Sequence, residues 1–264
     1  SAPASRPQPT GTVKLATYNV LNLFDSYDDP YAADAPSDRK SRTEIEALAR
    51  TIRQVDADVL ALEEVENRGY LQRFVNAFLR DMGYEVVAFE GNDNRGIDCA
   101  VLSRLPVGAV TSHRHVRLDD PNGTAMRFRR DLLDVRIEPT GAMPFHVFVI
   151  HLKSKSGEEE GGADTRMGEA TAIRHILTDR LKRDPRAAFV ICGDFNDTID
   201  SKPVQAILSS GDGGLTPFVN DLPENGRVSY NQEPYLSMID FIFASPEMAV
   251  HYVAGSYRIV TGGS

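Results

Sequence analysis

The chain has 264 residues, enough for one large domain or two small ones with a sizeable buried core. Its 41% hydrophobic and 25% charged residues exclude a disordered tail protein, a collagen and a disulfide-stapled miniprotein. The net charge is −9 and the densest basic runs, Arg127–Arg130 and His113–Arg117, are short, so a phosphate ligand would need a metal cation or a few focused arginines to attract it.

Residues 1–11 read as a flexible lead-in without a signal-peptide pattern, consistent with the stub left when a signal or a tag is removed. A secreted or periplasmic setting is therefore slightly favoured over the cytoplasm. Val13–Val20 reads as the first strand, followed by a long loop, Ser26–Arg42, with Asp28-Asp29-Pro30 and Asp34-Ala35-Pro36. A helix is predicted over Thr43–Val55, with Ile45, Leu48, Ile52 and Val55 on one face. A strand at Asp58–Val65 and a helix at Gly69–Met82 come next, then strands at Glu85–Glu90, Asp98–Arg104, Asp131–Glu138 and Phe145–Lys153. The polar run Lys155–Thr165, with Glu158-Glu159-Glu160-Gly161-Gly162, reads as a solvated loop. A helix over Asp164–Lys182 shows Met167, Ala170, Ile173, Ile176, Leu177 and Leu181 on one face. The remainder reads as a strand at Ala187–Gly193, a short helix at Pro203–Leu208, and strands at Met238–Ala244 and Val250–Ile259. No strict βα alternation runs through this order, so it predicts mixed sheets packed together with helices outside. No run approaches the ~18 apolar residues of a membrane span. Cys99 and Cys192 sit in apolar runs and read as buried free thiols.

The strands end in unexpected residues. Asn19 closes the first and Glu63-Glu64 the second; His151 and Lys153 alternate at the end of another; Asp194, Asn196 and Asp197 follow Val190-Ile191-Cys192-Gly193; Asp240 is embedded in an apolar run. A buried carboxylate without partners is costly. Five such strand ends make structural coincidence a weaker account than convergence on one pocket. Oxygen ligands with few sulfurs suit Mg²⁺, Mn²⁺ or Ca²⁺. The chain has no His-Glu-x-x-His, Gly-x-Ser-x-Gly or Walker loop. A metal, an imidazole and amide side chains fit phosphoester hydrolysis, in which charge builds on the phosphoryl and leaving oxygens.

In order, Thr17-Tyr18-Asn19-Val20-Leu21-Asn22-Leu23, Leu62-Glu63-Glu64-Val65-Glu66-Asn67, Arg95-Gly96-Ile97-Asp98, His151-Leu152-Lys153-Ser154-Lys155, Gly193-Asp194-Phe195-Asn196-Asp197 and Ser237-Met238-Ile239-Asp240 resemble the motifs of the endonuclease/exonuclease/phosphatase superfamily, in particular a bacterial branch of often exported nucleases and phosphodiesterases. The resemblance implies an α/β (α+β) fold: a four-layer α/β/β/α sandwich, forming a single domain over residues 12–264. It implies Glu64 as principal metal ligand with Asn19 beside it, and Glu63 as a neighbour where the family usually has Gln. Asp194 and Asn196 would handle nucleophile and phosphate, His151 would donate to the phosphate with Glu90 as a candidate orienting partner, and Asp240 would orient a second His. Arg130 resembles the family's phosphate-contacting Arg; Arg95 and Asp98 would line the substrate side, and Lys153 and Lys155 are candidate phosphate contacts. Mg²⁺ is the implied cofactor, with Mn²⁺ and Ca²⁺ as alternatives.

The family ends in a Ser-Asp-His motif, whereas this sequence stops at Thr261-Gly262-Gly263-Ser264 and its only later His, His251, lies in an alternating pattern. The expectation is weak activity from the chain as given and stronger activity from one extended at its C-terminus. The expected activity is phosphodiester hydrolysis, nuclease-like, with a metal-held phosphate attacked by activated water. A phosphomonoesterase or phospholipid-type phosphatase, and a degenerate phosphate-binding module, stay open. The expected partner is a phosphoester substrate, nucleic acid among the candidates; no feature points to a protein partner.

Overall fold

Three apolar layers organise the chain, and each follows from strands whose two faces are both covered. The structure is a computed structural model and describes residues 11–27, 29, 33, 39–155, 162–232 and 235–261. The expected lead-in, parts of both long loops (including Asp34-Ala35-Pro36 and Glu158-Glu159-Glu160) and the Gly262–Ser264 tail lie outside the described residues.

In chain order the elements are β1 (Leu15–Leu23), α1 (Arg42–Val55), β2 (Val59–Val65), α2 (Arg68–Phe78), β3 (Glu85–Ala88), β4 (Asp98–Ser103), β5 (Val107–Ser112), β6 (Arg117–Asp119), β7 (Ala125–Arg127), β8 (Leu132–Ile137) and β9 (Phe145–His151). Then come α3 (Gly162–Arg183), β10 (Phe189–Asp194), α4 (Lys202–Leu208), β11 (Thr216–Pro217), β12 (Tyr230–Gln232), β13 (Tyr235–Ser237), β14 (Asp240–Ala244) and α5 (Pro246–Ala249). One sheet has the order β1-β2-β4-β3 and the other β11-β14-β10-β9-β8-β5; β6-β7 and β12-β13 are separate hairpins. Parallel pairs β1–β2 and β9–β10 sit among antiparallel neighbours, so both large sheets are mixed.

On the first sheet's outer face, Leu60 and Leu62 of β2 and Ala100 and Leu102 of β4 meet Ile45, Leu48 and Ile52 of α1 and Leu71, Phe74 and Val75 of α2. Between the sheets, Val59, Ala61, Cys99 and Val101 meet Leu133, Val135, Val147, Val149, Val190, Cys192 and Ile242. On the far face, Phe148, Ile150, Phe189, Ile191, Phe241 and Phe243 meet Ile173 and Leu177 of α3 and Val204 and Ile207 of α4. This is the expected α/β/β/α sandwich. Successive side chains alternate between an aliphatic inter-sheet layer and an outer layer under the helices. A capping box starts α1: the Glu44 N–H donates to Ser41 Oγ at 3.3 Å and the Ser41 N–H to Glu44 Oε2 at 2.7 Å.

Two expectations need correction. Val250–Ile259 is not a strand: the chain turns after α5, Val250 and Val253 are 76% and 54% exposed, and Gly255 takes φ +76°. His251 accordingly lies in a turn. On α3 the buried face runs through Arg166, Gly168, Glu169, Ala170, Ile173 and Leu177, so it includes two charged residues, while the expected Met167, Ile176 and Leu181 are only partly buried.

Candidate active site

The alternation that fills the inter-sheet layer also delivers polar residues to one end of it. Val59 and Ala61 are followed on the same face by Glu63; Val147 and Val149 by His151; Val190 and Cys192 by Asp194; Ala244 and Ile242, read backwards along an antiparallel strand, by Asp240. The register sets Asp194 opposite His151 on one side and Asp240 on the other, and Asn19 opposite Glu63. Residues scattered along the whole sequence therefore share one edge of the sandwich.

Glu64 reaches this cluster only because the ladder is irregular. By parity it belongs with Leu60 and Leu62, facing α1 and α2. The pairing of β2 with β4 shifts between Leu62 and Val65, and that of β1 with β2 between Asn19 and Leu23. Glu64 takes φ +65°, and Leu21 and Asn22 take φ +54° and +61°. Side chains rarely adopt this region, and such strain gathers at functional sites. The paired bulges turn the Glu64 carboxylate into the cleft. There the Asn22 N–H donates to Oε2 at 3.0 Å and Asn19 Nδ2 to Oε1 at 3.3 Å.

Asn19 Nδ2 also donates to Asp194 Oδ2 at 3.0 Å, and its Oδ1 accepts the Leu21 N–H at 2.9 Å. His151 Nε2 stands 3.8 Å from both Glu64 Oε1 and Asp194 Oδ2. The Asn196 N–H donates to Asp194 Oδ1 at 2.8 Å, and Asn196 Nδ2 to the Leu152 carbonyl at 2.9 Å. Burial, and then the Asp240 charge, push the Asp194 carboxyl up to about 7; burial raises Asp240 to about 6. Burial first, then the charges of Arg130 and Arg95, hold His151 well below the usual imidazole range, so its ring is neutral at pH 7. Its Nδ1 is buried without a hydrogen-bond partner. Glu63 is fully buried, accepts the Thr17 hydroxyl at 2.8 Å, and is raised well above the usual range by burial and then by Asp240.

Asn19, Glu64, Arg95, Arg130, His151, Asp194, Asn196 and Asp240 all line one groove of 1930 Å³. Arg130 lies 2.9 Å from Asp93 and donates from Nη1 to the Leu152 carbonyl at 3.0 Å; Arg95 donates to Asn22 Oδ1. Asp98 and Lys153 do not line this groove, contrary to expectation. Asp98 is buried under Gly91, whose N–H it accepts at 2.6 Å, and the Lys153 backbone is held by α3. Lys155 lines the groove but pairs with Asp197. Glu90 does not orient His151: β3 ends at Ala88, and the Glu90 side chain is 83% exposed beside Arg114. The Asp240 N–H donates to Ser229 Oγ at 3.1 Å, and His251 lines the same groove without a described bond to it. Sequence reasoning missed Thr17, Asp93, Ser229, Arg166 and Glu169. Only Thr17 carried a signal, its place two residues before Asn19 on the same face.

Among the described residues, no three His, Cys, Asp or Glu side chains are grouped to cage a metal ion. The side chains that do meet are carboxylates, a neutral imidazole and the Asn19 amide, whose nitrogen faces the acids, and both thiols lie elsewhere, in the inter-sheet core. Such a set fits a hard cation that keeps water and substrate oxygens in much of its shell.

The profile of the Endonuclease/Exonuclease/phosphatase family matches residues 14–261. The chain belongs to this family. It is a phosphoester hydrolase, and enzymes of the superfamily generally use divalent metals. No curated protein matches by sequence. Among solved structures, the fold is similar to that of the human Nocturnin catalytic domain with bound sulfate anion (TM-score 0.63, 19% identity, covering 89% of this chain and 83% of that one). It is also similar to ANGEL2, described as a 2',3'-cyclic phosphatase (0.60, 14%, 89% and 83%). A third is an endonuclease/exonuclease/phosphatase family protein from Bacteroides thetaiotaomicron (0.59, 17%, 89% and 83%).

Proposed function

We propose that this phosphoesterase is a divalent-metal-dependent phosphodiesterase of nuclease type. The observation that carries the reading is the meeting of Asn19, Glu64, His151 and Asp194 at one end of the inter-sheet layer, on a groove that also holds Arg95 and Arg130. Glu64 would hold Mg²⁺, or Mn²⁺ in its place, with Asn19 beside it. When bound, the ion offsets charge developing on the phosphoryl oxygens.

The chain's own groups do the rest. Arg130 and Arg95 attract the phosphate and raise its local concentration in a chain of net charge −9. The neutral His151 donates one N–H to a phosphate oxygen, an interaction that strengthens as charge builds there. Asp194 is placed to take a proton from the attacking water. The Asn19 amide and the Asn196 N–H fix the direction of that carboxylate. Asp240, beside it, disfavours a second charge and so keeps the affinity of Asp194 for a proton high.

The groove's volume of 1930 Å³ leaves room for a diester with groups on both sides of phosphorus. A 2',3'-cyclic phosphate is itself a diester, so the activity named for ANGEL2 supports the same reading. The test is hydrolysis of bis(4-nitrophenyl) phosphate against 4-nitrophenyl phosphate with Mg²⁺, Mn²⁺ and Ca²⁺ in turn. The reading requires turnover of the diester that chelator and Asp194→Ala abolish. Turnover of the monoester alone would establish a phosphatase, and metal-independent phosphate binding without turnover would establish a binding module.

A further inference from the structure

Three chain segments at the ends of neighbouring strands meet beside the groove: Arg129–Arg130 before β8, Leu152–Lys153 after β9, and Phe195–Asp197 after β10. All three are tied to two buried charged side chains of α3. Glu169, 1% exposed, accepts the Arg129 N–H on Oε1 at 2.9 Å and the Lys153 N–H on Oε2 at 3.2 Å. Arg166, 6% exposed and three residues earlier on the same helix, donates from Nη1 to the Lys153 carbonyl at 2.9 Å and from Nε to Asp197 Oδ2 at 3.2 Å. Both polar groups of the Lys153 backbone are thus held by one helix. The preceding residue is a second junction: the Leu152 carbonyl accepts both Arg130 Nη1 and Asn196 Nδ2, and its N–H donates to the Asp194 carbonyl at 3.0 Å.

We infer that Glu169 and Arg166 are positioning residues that act through main-chain bonds to set the spacing of Arg130, His151 and Asn196 around the phosphate. An α-helix is the stiffest element available for this, and burial removes competing water from each bond. Packing of α3 is close at the same level. A Cβ on Gly168 would lie 3.0 Å from the Asp119 carbonyl, so the helix is pressed against the β6–β7 hairpin and has little room to tilt. Burying two charged groups here is expensive, and the hydrogen bonds to both Glu169 oxygens and from Arg166 Nε and Nη1 offset the cost. A helix that needed only to cover the sheet would carry apolar residues at positions 166 and 169.

The inference rests on the phosphoesterase reading of the groove. Its test is Glu169→Gln, which keeps shape but leaves one acceptor oxygen for two N–H groups. Three measurements are made: backbone amide resonances of Arg129 and Lys153, kcat/KM for bis(4-nitrophenyl) phosphate, and the affinity for inorganic phosphate. The expected result is a folded protein in which one or both resonances move and kcat/KM falls about tenfold or more, since sub-ångström misplacement near reacting atoms is enough for that. In that background Arg130→Ala should cost less than it does alone, because the two substitutions remove the same positioning.

Shifted amides with unchanged kcat/KM, or losses that multiply independently with Arg130→Ala, would overturn the inference. Should Glu169→Gln not fold, Arg166→Lys is read in the same way, with the Lys153 resonance as the marker. Failure of the wild-type chain to hydrolyse any diester would sink the functional reading alone. In that case weaker inorganic phosphate binding by E169Q still supports the brace, and equal affinity overturns it.

Discussion

Asn19 donates a hydrogen bond of 3.0 Å to Asp194, across a sequence separation of 175 residues. The same amide nitrogen also reaches Glu64, so a single donor lies between two carboxylates from different sheets. Asn19→Asp would replace that donor with a third acid. The metal-free protein should lose about 1–3 kcal/mol of stability, the cost of an unpaired buried polar contact. Added Mg²⁺ should then raise the melting temperature of the variant more than that of the wild type. Thermal scans with and without the ion check both parts, and an unchanged melting temperature would show that the two carboxylates do not depend on this bridge.

Removing Asp194 tests the chemistry directly. Asp194→Ala should lower kcat by roughly 10²–10⁴-fold, the usual contribution of a positioned base. KM should change far less, because Arg130, Arg95 and His151 still face the phosphate. Steady-state kinetics on a diester separate the two; a loss confined to KM would make Asp194 a binding group.

Asp98 gives a pH-dependent stability prediction. Burial, with Glu90, Asp93 and Asp131 nearby, raises its carboxyl from the ordinary value of 3.8 to about 7. Between those two values the folded state holds a proton that the unfolded state has released, so stability falls as pH rises through the window. The loss reaches up to about 4 kcal/mol above pH 7. Asp98→Asn keeps an oxygen for the Gly91 N–H and removes the titration. It should match the wild type at pH 4 and be the more stable protein at pH 8 in urea unfolding.

Gly193 takes φ +137°, and a Cβ there would lie 2.0 Å from the Ile150 carbonyl oxygen. No side chain fits between β9 and β10 at this point. Gly193→Ala should therefore destabilise by about 3 kcal/mol or more, beyond what backbone strain alone would cost. A small change in the denaturant midpoint would mean that the two strands can part without penalty.

Cys99 and Cys192 lie in the inter-sheet layer, and burial pushes both thiols well above their ordinary range. Neither should react with a thiol reagent in the native state, and both should react on unfolding. Native labelling would indicate that the sheets separate.

What the sequence disclosed, and what it withheld, divide along physical lines. The runs Val147–Ile150 and Val190–Cys192 announce strands covered on both faces, and the polar residue that ends each run marks the rim. β5 stayed hidden because Val107-Gly108-Ala109-Val110 at a sheet edge buries little and alternates weakly. Val250–Ile259 looked like a strand because alternation is indifferent to a turn at Ala254-Gly255. The choice between Glu63 and Glu64 was beyond periodicity, since parity alone points Glu64 at α1 and α2; the resemblance, not the pattern, singled it out. Arg166 and Glu169 were unreadable for the opposite reason: a charged residue on a helix is ordinarily solvated, and only tertiary packing reveals these two as internal.

The bulges in β1 and β2 also bear on how this protein would respond to selection for robustness. Removing the two extra residues that β1 carries between Asn19 and Leu23 would let β1 and β2 run in even register and relieve the left-handed backbone at Leu21 and Asn22. Such a variant should be hardier and chemically idle, without the Asn22 N–H that holds the Glu64 carboxylate. The irregular ladder persists because regularity here would come at the expense of turnover.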